Sequence, residues 1–188
     1  MKKFSCIQGC SDCCVYREYY PSVEYGKIGV LLLPDEKAVM ERLAQKMKIK
    51  VRIVPRLAVG KEFPEKVIAY QMMGKNQDGD LCPFLDVASS DSPHGGLDCR
   101  IYSERPLACR AYPVIDTDKA AATLDDHCQF CKKFSTTKAS TAELQKEIES
   151  LVKIKASIVA DNDRVWRYAT ATGIAGDTFL PEGWVAES

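Results

Sequence analysis

Four cysteines crowd into nine positions near the start of the chain, in Cys6-Ile7-Gln8-Gly9-Cys10-Ser11-Asp12-Cys13-Cys14. Five more follow at Cys82, Cys99, Cys109, Cys128 and Cys131, and the last 57 residues contain none. Such thiols constrain the fold strongly, because each has to be paired, ligated to a metal or buried as a small hydrophobe. Pairing is disfavoured. Met1-Lys2-Lys3-Phe4 carries two lysines with no apolar stretch behind them, so it does not read as a signal peptide. The expected compartment is therefore the reducing cytoplasm, where structural disulfides rarely persist. Nine cysteines, an odd number, also cannot all pair within one chain. Burial alone gives no reason for the clustering. Ligation does, and the expectation is a metal centre.

On a helix at 100° per residue, Cys6, Cys10, Cys13 and Cys14 fall within an arc of about 100°. A loop started by Gly9 and Asp12 would gather them equally well. Adjacent side chains diverge on either regular backbone. The pair Cys13-Cys14 is therefore expected to serve different metals, or different metals of one cluster. Cys10-x2-Cys13 and Cys128-x2-Cys131 have ordinary metal-ligand spacing. Two tetrathiolate sites need eight ligands, so nine cysteines suffice with one to spare. All-cysteine ligation and the proline after Cys82 suit an iron–sulfur cluster, while the paired x2 knuckles suit zinc. Thiolate softness admits both metals.

With 188 residues, 46% hydrophobic and 28% charged, the chain has the balance of one soluble domain spanning 1–188. Residues 1–133 would form the metal-binding part and 134–188 a helical part. Lys plus Arg number 26 and Asp plus Glu 26, so no global field recruits nucleic acid or an anionic membrane. The longest aliphatic run, Ile28 to Leu33, is far short of the ~20 residues of a membrane-spanning helix. Pro34-Asp35-Glu36 opens a helix, and Val39, Met40, Leu43, Ala44 and Met47 give it one apolar face.

Val51–Val54, Val67–Tyr70, Leu81–Leu85 and Tyr112–Ile115 read as strands, with a turn over Gly74–Asp80 and a loop over Ala88–Gly96. Tyr16–Tyr20 reads as half-buried. Ser140-Thr141-Ala142-Glu143 matches a capping box. It leads into a helical stripe of Leu144, Ile148, Leu151, Val152, Ile158 and Val159. A shorter helix is expected over Arg164–Thr170, ended by Gly173 and Gly176. The sum is α+β: a small antiparallel sheet flanked by helices and organised around a cysteine-ligated metal centre.

Three stretches carry a family resemblance. The cysteine-rich start, Cys82-Pro83-Phe84-Leu85, and Cys99-x-Ile101-Tyr102-x2-Arg105-Pro106-x2-Cys109-Arg110-x-Tyr112-Pro113 resemble the zinc- or iron-chelating CxxCxxCC (YkgJ-like) cysteine-cluster family. The likeness runs from about Cys6 to Cys128. It implies eight ligands: Cys6, Cys10, Cys13, Cys14, Cys82, Cys99, Cys109 and Cys128. Cys131 is an extra, and three residues rather than two separate Cys6 from Cys10. Members of that family are often described as iron–sulfur oxidoreductases, and the domain also resembles part of the flagellin lysine methylases, so the resemblance implies redox or protein-modifying chemistry.

Arg100, Arg105 and Arg110, five residues apart among the thiols, either hold an anionic substrate or cofactor or offset thiolate charge. Offset is the simpler account, and Tyr102 and Tyr112 would pack around the centre. His94 reads as a loop histidine, and His127, beside Cys128, as pointing away. Asp116, Asp118, Asp125 and Asp126 read as solvated turn residues. No glycine-rich phosphate loop, Ser-His-Asp order or HExxH pattern is present. The expectation is a cytoplasmic protein holding an iron–sulfur or other polynuclear thiolate centre, with redox or protein-modifying chemistry and an unknown protein or small-molecule partner. The alternative is a zinc-stabilised interaction module without catalysis.

Overall fold

The computed structural model describes residues 3–15, 29–74, 81–89, 97–118, 121–161, 163–168 and 183–186. Tyr16–Tyr20, His94, Gly173, Gly176 and most of the expected turn at 74–80 and loop at 88–96 lie outside them. The fold is α+β, with antiparallel sheets of five, three and two strands. No helix among the described residues is long and apolar enough to cross a membrane. The chain gathers into two compact units, 1–17 with 81–155 and 18–80 with 156–188. All nine cysteines belong to the first.

In the second unit, β1 (Val30–Leu32), β2 (Ile53–Gly60), β3 (Lys66–Met72), β9 (Arg164–Tyr168) and β10 (Trp184–Ala186) form one sheet, ordered β1-β3-β2-β9-β10. A helix spans Pro34–Met47, with proline at its start and Glu36 accepting from the Leu33 N–H at 2.9 Å. Its buried face is Met40, Leu43 and Ala44, while Val39 and Met47 are only half-buried. Gly29 leads into β1 where a Cβ would lie 1.4 Å from the Met72 carbonyl oxygen, so a side chain there would displace the β1–β3 ladder.

The 164–168 segment is a strand, contrary to the helix expected from sequence. It pairs with β2 at Leu57↔Arg167 and Ala58↔Trp166. Trp166 is thereby buried against Ala58 and Trp184, and its Nε1 donates to the Gly60 carbonyl at 3.0 Å. Alternating Val165/Arg167 and Trp166/Tyr168 satisfy a two-residue period. The pairing partner, about a hundred residues away, overrides helical propensity.

In the first unit, α1 (Asp12–Val15) is followed by the short ladder β4 (Leu85–Asp86) and β5 (Asp98–Cys99). The expected strand at Leu81–Leu85 is broken by a turn at Pro83-Phe84, with a single bridge at Leu81 and ladder pairing at Leu85. A 3-10 turn at Tyr102–Glu104 leads into a helix over Leu107–Ala111. Strand β6 (Val114–Thr117) begins two residues later than expected and joins β7 (Ala121–Leu124) and β8 (Lys138–Ser140). The helix Gln129–Phe134 lies between β7 and β8, and the helix Gln145–Ser157 follows β8.

Ser140 does cap, accepting from the Ala142 N–H, but it caps a 3-10 turn over Thr141–Glu143. The α-helix starts only at Gln145. Of the expected stripe, Leu144 is buried and Ile148, Leu151 and Ile158 are half-buried, whereas Val152 and Val159 face solvent; the buried helix position is Ile154, which the stripe leaves out. The core is Val114, Ala122, Leu124, Cys128, Phe130, Cys131, Ala139 and Leu144, with Phe4 and Ile7 packed against it.

Candidate metal centre

Phe4 anchors the leading cysteines. Its ring lies 5.0 Å from Phe130, and its N–H donates to Glu143 Oε2 at 3.0 Å. From there the chain turns at Gly9, whose positive φ of 77° suits glycine, and the Cys10 N–H reaches the Ile7 carbonyl at 3.1 Å. Ser11 Oγ accepts from the Leu97 N–H at 2.6 Å, and Asp12 accepts from Gln129 Nε2 at 2.6 Å. The Cys82 N–H donates to the Cys14 carbonyl at 3.2 Å. Cys99 sits opposite Leu85 in the β4–β5 ladder, and Cys109 lies in the middle of the Leu107–Ala111 helix with its N–H on the Pro106 carbonyl. Cys128 caps the Gln129–Phe134 helix. Local turns and ladders thus bring cysteines from five stretches of sequence into one unit.

None of the nine is in a disulfide. Cys13 and Cys14 sulfurs converge at 3.9 Å. That corrects the expectation that adjacent side chains diverge: in the single turn of α1 both thiols lean the same way. The edge of a tetrahedral zinc tetrathiolate is about 3.8 Å for a Zn–S bond near 2.3 Å, so adjacency does not force the two onto separate ions.

What distinguishes Cys13 and Cys14 is their company. Cys6 has a pKa pushed up to about 11, by desolvation first and then by the negative charges of Cys10, Cys13 and Cys128. Cys10 is raised by desolvation and, after Asp12, by Cys13 and Cys128. Cys128 is raised by burial, with Asp125 and Cys13 adding to it. The Cys14 thiol is held far above the ordinary range, by its hydrogen bond with Cys13, then burial, then the charges of Cys13, Cys82 and Cys109. Cys99 is raised by burial, then by the charge of Cys109 and less by that of Cys13. Two overlapping neighbourhoods result, Cys6/Cys10/Cys13/Cys128 and Cys14/Cys82/Cys99/Cys109, joined by the Cys13–Cys14 contact and by the charge of Cys13 on Cys99.

Cys131, buried in the core and raised to about 12 by burial and then by Cys128, stands behind the first neighbourhood. This donor set fits a soft thiophilic metal. Burial and mutual repulsion oppose thiolate formation, and a bound cation relieves both.

A cavity of about 300 Å³ adjoins the first neighbourhood. Cys6, Cys10, Cys13, Cys128 and Cys109 line it, together with Phe4, Ile7, Phe130, Tyr112 and Pro113, and with Tyr102, Arg105, Arg110 and Glu147. Cys14, Cys82, Cys99 and Cys131 do not. The three arginines separate. Arg100 pairs with Asp86 at 2.9 Å and does not line the cavity. Arg110 spends Nε on the Arg105 carbonyl at 2.6 Å and Nη2 on the Ser103 carbonyl at 3.3 Å. Arg105 lies with its guanidinium carbon 3.7 Å from the Tyr102 ring centre, and its charge favours the thiolates of Cys6 and Cys99.

Among the described residues, the one trio of His, Cys, Asp or Glu ligand atoms within 4.8 Å of one another is Asp125, Asp126 and His127. His127 Nδ1 lies 3.2 Å from Asp125 and 2.8 Å from Asp126, which accounts for this trio as an exposed hydrogen-bonded turn. Asp116 pairs with Lys155 at 2.7 Å, and Asp118 accepts from the Ala121 N–H at 2.7 Å, so both have structural uses. The sequence reading did not single out Phe4, Ile7, Phe130 or Glu147 as cavity residues. Phe4 and Ile7, apolar residues flanking Cys6, were the available signal that this segment docks on a core.

A family model described as "Putative zinc- or iron-chelating domain", CxxCxxCC, matches residues 5–132. No curated protein and no solved structure matches the chain.

Proposed function

The chain belongs to the CxxCxxCC family, and from that premise we propose that its thiols hold a polynuclear centre, of iron–sulfur type, with one open and one closed side. Metal binding by this zinc- or iron-chelating domain is the common ground. The division into two thiol neighbourhoods supports the polynuclear reading. Cys6, Cys10, Cys13 and Cys128 would hold the open side and Cys14, Cys82 and Cys99 the closed side, with Cys109 from the second neighbourhood also reaching the cavity. An iron–sulfur cluster supplies electron transfer or substrate activation at thiolate-bound iron. Arg105 offsets the charge of the thiolates, and the apolar wall of Phe4, Ile7 and Phe130 restricts water.

The observation that carries this reading is the cavity. Closed structural sites leave no room beside the metal, whereas reactive ones keep an open position. A reducing, cytoplasmic setting goes with it, since free thiols persist there. Zero net charge fits a small molecule or protein partner better than nucleic acid.

A second reading has its own support. Cys14, Cys82 and Cys99 stay off the cavity and tie three separate segments together, as a zinc clip in an interaction module would. Protein purified without oxygen after iron-supplied expression separates the two. The cluster reading expects a brown protein with iron and acid-labile sulfide. Colourless protein with stoichiometric zinc and no sulfide would sink it in favour of the clip.

A further inference from the structure

We infer that Arg105 anchors a small carboxylate ligand in the cavity beside Cys6, Cys10, Cys13 and Cys128. The inference deepens the reading above, because this ligand shares its cavity with the thiols proposed to hold metal. Arg105 is the arginine whose hydrogen-bonding fork is left over. Arg100 is committed to Asp86, and Arg110 spends two nitrogens on backbone carbonyls.

Arg105 spends only Nε, which donates to the Tyr102 carbonyl at 2.9 Å. Among the described residues its two terminal nitrogens take no hydrogen-bond acceptor. Stacking on the Tyr102 ring, at 3.7 Å, fixes the plane of the guanidinium. A planar, pre-oriented fork matches a carboxylate edge with two parallel hydrogen bonds and little further loss of side-chain freedom.

The rest of the cavity selects within anions. Its volume, about 300 Å³, is at the small end of ligand pockets. A single thiolate-bound ion sits about 2.3 Å from each sulfur, between its donors, and leaves much of that space open. The cavity lining is also apolar and aromatic, from Phe4, Tyr112 and Phe130, so the ligand has an apolar body. Glu147 also lines the cavity. With thiols and Glu147 both in the lining, a monoanion is tolerated better than a dianionic phosphate.

The test is titration of the protein as purified with phenylacetate, its neutral isostere phenylacetamide, and phenyl phosphate, read by ligand-observed NMR and calorimetry. Metal content is measured on every sample. The expected result is phenylacetate binding at least about tenfold tighter than either comparison compound. Arg105→Lys keeps the charge and loses the fork, so it should lower phenylacetate affinity about tenfold with metal content unchanged. Arg100→Gln should bind as the wild type does.

Equal binding of phenylacetamide overturns the inference, as does tighter binding of phenyl phosphate or wild-type affinity in Arg105→Lys. Loss of metal in Arg105→Lys also overturns it, because the arginine would then be serving the thiolates. A metal-free protein that binds phenylacetate through Arg105 upholds the inference and removes the metal reading. Metal-loaded protein that ignores millimolar phenylacetate overturns the inference alone.

Discussion

Replacing Phe4 tests the link between packing and the thiol centre most directly. Its ring meets Phe130 at 5.0 Å with an interplanar angle of 59°, and Phe130 in turn meets Phe134 at 4.9 Å. Phe4→Leu keeps most of the buried apolar area and loses the ring pair, so it should cost about 1 kcal/mol. Phe130→Leu loses both ring pairs and should cost about 2 kcal/mol. In the double mutant the Phe4–Phe130 term is lost only once, so a cycle should return a coupling of about 1 kcal/mol. For a unit of this size Phe4→Leu should lower the melting temperature by about 5 °C.

Phe4 stands two residues before Cys6. If its docking positions the leading thiols for metal, the same free energy appears as about a fivefold weaker metal affinity. Urea unfolding of metal-loaded protein gives the stabilities, and competition with a chromophoric chelator gives the affinities. A coupling within about 0.3 kcal/mol of zero refutes the packing argument. Lost stability with unchanged metal affinity would refute the positioning argument alone.

Three further outcomes are expected. Cys131→Ser should retain the metal stoichiometry of the wild type, whereas Cys13→Ser and Cys14→Ser should each lower it; elemental analysis decides, and full retention without Cys13 or Cys14 counts against the two-neighbourhood grouping. Trp166→Phe should cost about 1–3 kcal/mol, because it removes the buried hydrogen bond to the Gly60 carbonyl and shrinks a buried side chain; Trp184 emission during urea unfolding reports it, and a change under about 0.5 kcal/mol would contradict the assignment. Asp86 has its carboxyl pKa lowered by the Ala88 N–H and then by Arg100, so its contribution is present above the ordinary carboxylate pKa and is lost as pH falls through the lowered one. The urea midpoint of Asp86→Asn should therefore trail the wild type at neutral pH and meet it in strong acid, and a gap that persists there would show another cause.

Short-range chemistry was legible in the sequence. Pro34, Asp35, Glu36 and the apolar spacing after them specify a helix whose cap, periodicity and dipole agree, and the helix forms there. The strand read at 67–70 lies within the observed 66–72, whereas the one read at 51–54 catches only the first two residues of 53–60. The segment 164–168 was misread because its β conformation depends on β2, about a hundred residues away, and no local residue announces that partner. The convergence of Cys13 and Cys14 was hidden differently. Regular-backbone geometry predicts divergence, and one short turn of helix is not regular enough for that rule to hold. The cavity could not be read at all, since Phe4, Arg105, Phe130 and Glu147 meet only after folding. The cysteines were the exception: their number and spacing carried a chemical requirement that no folding detail alters.

The hydrogen bond from the Cys82 N–H to the Cys14 carbonyl bears on how such a chain can vary. It ties together the points where the thiol-bearing unit is interrupted and resumes, with 18–80 threaded between them. Once that gate is closed, the intervening length matters little, because doubling a loop costs only about 0.6 kcal/mol in closure entropy. The segment is therefore a slot. What fills it must still offer the β2 edge that pairs with β9, since strands from 18–80 and 156–188 share one sheet, so its loops can lengthen freely while that edge cannot change.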